Sequence, residues 1–126
     1  MSLRHHELCF GCGRTNLFGL LVEVDEVGPD AVAGRCFVKQ DHQGPDRGNA
    51  HEGVVAAALC EAMALACGRE ARAESCELSL EDHAPVGAFL ELEARVERRD
   101  GPIAHAAAVA SADQRTVAKA TGRFRS

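Results

Sequence analysis

Apolar and polar residues alternate with period two in several short segments of this chain, and once, over residues 53–68, apolar residues continue with a single charged interruption. Alternation marks strands with one face buried, and the continuous run marks an enclosed helix. Residues 1–17 form a polar lead containing the turn Cys9-Phe10-Gly11-Cys12-Gly13. Residues 18–27 alternate apolar and acidic positions in their second half and read as a strand; Gly28-Pro29-Asp30 turns the chain into a second strand at 31–39. Residues 40–50 are dense in turn formers and read as a loop. A helix is expected from about residue 50 to about residue 67, with Asn49 as N-cap, Glu52 three residues on as in a capping box, and Gly68 at the C-cap. Strands follow at 71–81, 88–98, 103–111 and 115–124, with hairpin turns at Arg99-Asp100-Gly101 and Asp113-Gln114.

Two strands, one long apolar helix and four further strands do not alternate as βαβ units do. The order predicts an α+β domain, an antiparallel sheet wrapped around one helix, over residues 1–126. With no Trp and no Tyr, the core must be built from Val, Leu, Ala and a few Phe. A chain of this size buries only about 65% of the surface its unfolded form exposes, so association with a second copy would add stability.

A net charge of −5 disfavours a nucleic-acid partner. No leader with an apolar centre is visible and no apolar run approaches the ~20 residues of a membrane span, so no membrane partner is expected. Of the six cysteines only Cys9 and Cys12 have a motif spacing; the others sit in apolar stretches, as reduced thiols of a cytoplasmic protein do.

The helix carries the chemistry. Glu61 is its one interior charge, on the face of Val54, Ala58 and Leu65. A buried carboxylate must be paired or functional, and burial is expected to raise its pKa toward that of a general base. The bland account is a small exposed stripe or a partner Arg. Cys60, about 100° round the helix, reads first as a small hydrophobe. His51-Glu52-Gly53 puts unpaired amides and the positive helix end where a polarised carbonyl can be held. Cys9-x-x-Cys12 has the shape of a zinc knuckle, for which His5, His6, His42 or His51 could complete the ligands, or it is a pair of free thiols in a turn.

The segment His42-Gln43-Gly44-Pro45, with Asn49-Ala50-His51-Glu52-Gly53-Val54 through Leu59-Cys60-Glu61-Ala62-Met63, resembles the signature of the hotdog-fold acyl-CoA thioesterase superfamily, of the 4-hydroxybenzoyl-CoA and phenylacetate-pathway kind. The lead Cys9-Phe10-Gly11-Cys12-Gly13 and the closing strands resemble the same family, so the likeness covers almost the whole chain. It implies a sheet of about five to six strands around a central helix and a homodimer or dimer of dimers. It also implies an acyl-CoA thioester at the subunit interface, its carbonyl at the Gly53 amide and a helix carboxylate from the partner as base or nucleophile. The catalytic candidates are then Glu61, Gly53 and His51. Asn49, His42, Glu52, Cys60, Arg98 and Arg99 are candidates for substrate contact, with Arg115 and Lys119 as further phosphate contacts. Two positions depart from the pattern: Glu52 stands where the family has a glycine, and Cys60 where it has an acid. These leave open a non-catalytic acyl-CoA-binding protein, and more faintly a hydratase using Asp46 and His51. No cofactor is expected, with a structural zinc at Cys9 and Cys12 the one candidate.

Overall fold

Four tight reversals set the sheet. The computed structural model describes residues 2–126. In it Asp30, at φ 56°, returns β1 (Glu23–Gly28) onto β2 (Ala31–Phe37). Gly101, at φ 58°, joins β4 (Phe89–Asp100) to β5 (Ile103–Ala112). Asp113 and Gln114, both at positive φ, join β5 to β6 (Arg115–Arg125), the geometry that matches strand twist in two-residue hairpins. Gly68, at φ 130°, ends the central helix α1 (Glu52–Cys67) before β3 (Arg72–Leu80). A short 3-10 turn, Gln40–His42, precedes the helix. The six strands form one sheet in the order β1-β2-β4-β5-β6-β3, antiparallel at each pairing.

The α+β reading therefore holds. The helix packs against β2, β3, β4, β5 and β6. The sheet meets it with small side chains: Ala104, Ala106, Ala108 and Ala110 of β5 are buried, as are Leu90, Leu92 and Ala94 of β4, while Glu91 and Glu93 point away. Helix alanines 58, 62 and 66 let the layers approach, and Leu59, Met63 and Phe124 fill the space between them. No helix among the described residues is long and apolar enough to cross a membrane.

The chain departs from the expected boundaries at two places, each for a backbone reason. Residues 18–22 do not extend the first strand. The amides of Leu20 and Val22 donate to the carbonyls of Phe10 and Gly11 instead, both at 2.7 Å, with Leu21 at φ 52° between them. This stretch docks the lead, and Leu3 adds a bond from its amide to the Val24 carbonyl at the outer edge of β1. Asn49 is not the N-cap. Its carbonyl accepts from the Gly44 amide and its own amide donates to Asp46, so it belongs to the preceding loop. His51 caps the helix, its Nδ1 accepting the Gly53 amide at 2.8 Å. At the opposite edge β3 pairs only with β6, and all of its residues but Leu78 are exposed. Cys76, expected in an apolar interior, is therefore on the surface.

Gly34 on β2 is held by a close approach: a Cβ there would lie 1.8 Å from the Glu23 carbonyl oxygen, whereas one at Gly28 meets nothing within 4 Å. Gly34→Ala is expected to cost about 1–3 kcal/mol of unfolding free energy and Gly28→Ala less than about 0.5 kcal/mol, as measured by urea denaturation.

Candidate functional site

The start of α1 and the carboxylate of Glu61 sit in different surroundings. The first helical turn faces a cavity of about 260 Å³ that Glu52 and Val55 share with Leu80, Asp82, His83 and Ala84 beyond β3. His51, Glu52 and Gly53 are exposed there. The Gly53 amide, expected to be free, is already engaged by His51 Nδ1. A carbonyl can take that amide only if the exposed imidazole swings aside. Asp82 accepts from the His83 amide and pairs with Arg115, which places Arg115 at this end of the helix.

Glu61 lies eight residues on, about 12 Å along the helix axis. Its side chain is 13% exposed and turned toward the lead. Oε2 is 2.8 Å from His5 Nδ1 and accepts from the Cys9 thiol at 3.4 Å. Gly11 lets the two layers touch, since a Cβ there would come 2.4 Å from Glu61 Cδ. Cys12 is buried close by, its Sγ 3.5 Å from His5 Nδ1 and accepting the His5 amide at 3.1 Å. Arg69 holds the His5 carbonyl at 3.0 Å.

Burial pushes the Glu61 pKa up, as expected, but the hydrogen bonds from His5 and Cys12, with the His5 charge and the Cys9 thiol, outweigh it. The carboxyl therefore titrates below its ordinary value, which corrects the expectation of a raised pKa. The bond to Glu61 raises the His5 pKa against the effect of burial, so imidazolium–carboxylate is the favoured state of the pair. Burial, followed by the bond to Glu61, drives the Cys12 thiol strongly upward.

The remaining candidates scatter. Cys60 is half-buried and lines, with His5, Cys9, Glu61, Ala64 and Arg72, a cavity of about 280 Å³ that reaches the start of β3. Burial raises its thiol pKa, with Cys76 and Glu61 adding to the effect, so it is not an activated nucleophile. His42 is buried, its Nδ1 accepting the Lys39 amide, and burial lowers its pKa. Arg98 bonds Asp100 at 2.8 Å and also meets His105. Arg99 clamps Asp30 at 3.0 Å and the Cys67 carbonyl at 2.9 Å, at the C-terminal end of α1. Within one subunit neither is brought to the helix start. Asn49 serves the loop through its backbone, and Glu52 is exposed in the first turn. Two features lie outside the sequence reading: the pairing of His5 with Glu61, and the Asp82-His83 turn beside the helix start. The density of polar residues before Pro85 hints at the second alone.

Because the lead touches Glu61 through Gly11, Gly11→Ala must separate them. It is expected to lower stability by about 1–3 kcal/mol and to speed modification of the Cys12 thiol by Ellman's reagent, measured against the parent.

No protein-family model and no curated protein matches the chain. Solved structures do. A point mutant of the phenylacetic acid degradation protein PaaI from Thermus thermophilus is 28% identical, with a TM-score of 0.71 over 82% of this chain and 91% of that one. The PaaI protein of the E. coli phenylacetic acid degradation operon is 18% identical, with a TM-score of 0.77 over 84% and 79%. A protein of the thioesterase superfamily is 20% identical, with a TM-score of 0.85 over 95% of this chain and 61% of that one. With one long helix inside a six-stranded antiparallel sheet, the chain has the hotdog fold that these structures share.

Proposed function

We propose that the protein hydrolyses acyl-CoA thioesters as a homodimer or dimer of dimers, with Glu61 as general base and the Gly53 amide as carbonyl anchor. The observation that carries this reading is a largely buried carboxylate on the central helix of a hotdog fold, lining a cavity beside a cysteine. Glu61 accepts a proton from water, the oxygen attacks the thioester carbon, and the carbon–sulfur bond breaks. CoA leaves as thiolate and is protonated, and the acyl group leaves as a carboxylic acid. His51 releases Gly53 so that its N–H meets the developing oxyanion. Reacting groups must converge to about 3 Å, and Glu61 and Gly53 of one helix are about 12 Å apart along its axis. The reading therefore pairs Gly53 of one subunit with Glu61 of the other.

The unpaired edge of β3 supports such a dimer. Exposed strand edges invite pairing with another chain, and Leu80 and Cys76 are exposed on this one. Leu80→Arg is expected to shift the protein toward monomer in light scattering coupled to size exclusion, with CoA release falling alongside.

CoA release from short, medium and aromatic acyl-CoAs tests the chemistry. Glu61→Gln is expected to lower kcat by about two orders of magnitude or more while circular dichroism stays unchanged. The second reading, an acyl-CoA-binding protein without turnover, is favoured by one observation: both the Gly53 amide and Glu61 already have partners. Binding of CoA esters with no CoA release from any of them would move the assignment there.

A further inference from the structure

We propose that His5, Cys9, Cys12 and Glu61 hold a zinc ion in a four-coordinate structural site that fastens the N-terminal lead to α1. The inference does not rest on thioester hydrolysis.

The four side chains offer one imidazole nitrogen, two sulfurs and one carboxylate oxygen, and these atoms all lie within 4.8 Å of one another. Zinc bonds of about 2.3 Å to sulfur and about 2.0–2.2 Å to nitrogen and oxygen put the ligand atoms of a tetrahedron about 3.4–3.8 Å apart. The distances here are 3.7 Å from Cys9 Sγ to His5 Nδ1, 3.5 Å from Cys12 Sγ to His5 Nδ1 and 3.4 Å from Cys9 Sγ to Glu61 Oε2. The His5–Glu61 hydrogen bond, at 2.8 Å, is shorter than such an edge. It must lengthen by about 0.6 Å when an ion replaces the shared proton.

The surroundings are built for such a site. Cys9 and Cys12 leave a tight turn in which the Gly13 amide donates to the Cys9 carbonyl at 2.8 Å, and a Cβ at Gly13 would strike the backbone of Glu7 and Cys9. The His5 amide points at Cys12 Sγ, a bond that steadies a thiolate. Arg69 fixes His5 from the other side. The donor set of two sulfurs, one nitrogen and one oxygen suits zinc above the harder divalent ions. Four protein ligands leave no open position, which is the mark of a structural rather than a catalytic site.

Glu61 would then be a metal ligand as well as the proposed base, so its substitution is read against both metal content and CoA release.

Metal content of the full chain, purified without chelator, is the test, read by plasma mass spectrometry beside a cobalt titration of the chelator-treated protein. The expected result is about one zinc per chain and a thiolate-to-cobalt charge-transfer absorption that saturates at one equivalent. Chelation should lower the melting temperature by about 5 °C or more. Cys9→Ser, Cys12→Ser and Glu61→Gln should each lose most of the metal, and Cys76→Ser should retain it. Zinc below about a tenth of an equivalent, together with no charge-transfer absorption on cobalt titration of the parent, overturns the proposal whatever the folding of the variants. Equal metal in parent and Cys12→Ser overturns it as well. CoA release by the parent is measured separately, so bound zinc with no CoA release from any acyl-CoA counts against the hydrolase reading and not against this one.

Discussion

A helix that is apolar on nearly every side has no stripe it can turn to water, and the shape of this molecule follows from that constraint. The sheet must curve around α1, and it can do so closely because β5 meets the helix with alanines and the helix answers with its own. What the sheet leaves open, the lead closes. Gly11 lies against Glu61 of the helix, backbone bonds from Leu20 and Val22 tie Phe10 and Gly11 to the stretch before β1, and Leu3 bonds Val24 of β1 itself. The single interior charge on the helix points at this cover, and the lead supplies an imidazole and two thiols to meet it. A carboxylate costs several kcal/mol to bury unpaired, so Glu61 and the lead are best understood as one feature rather than two.

That pairing divides the helix into two chemical ends. The first turn, capped by His51, faces a cavity near Asp82 and His83, where Arg115 brings positive charge. The last turn is held by Arg99, which joins the Cys67 carbonyl to the turn before β2. Glu61 and Cys60 lie between, beside the open edge of β3. Basic residues at the rim are thus distributed between two ends of one subunit. Only an arrangement of subunits can bring the Arg98–Arg99 end near a first turn.

Local signals make most of the fold readable. The period-two alternation of residues 88–98 and the glycine after Cys67 act over a few residues, and the structure keeps them. The failures come where a segment's partner is distant. Residues 18–22 look like a strand because Leu20 and Val22 are apolar, yet their amides are claimed by Phe10 and Gly11, and no period reveals that. Asn49 is a good cap by type, but the Gly44 amide claims its carbonyl, so the helix begins after His51. Glu61 stands out in the sequence as a lone carboxylate. Its partner, 56 residues away, does not, and the sign of the pKa shift is hidden with it. Burial alone argues for a raised value, and only the geometry shows hydrogen bonds that reverse it.

The contact between His5 and Glu61 also bears on the order in which the chain folds. It closes a loop of 56 residues, and loop closure is costly until other contacts have already shortened the path. The β4–β5 and β5–β6 hairpins pair residues close in sequence and can form early, with α1 condensing on them. The lead docks only once Glu61 has a fixed place, so it is the last segment to settle and the first to open. Hydrogen exchange should thus see two separate units, a slow sheet–helix body and a faster lead whose opening exposes Cys9 and Cys12 without global unfolding.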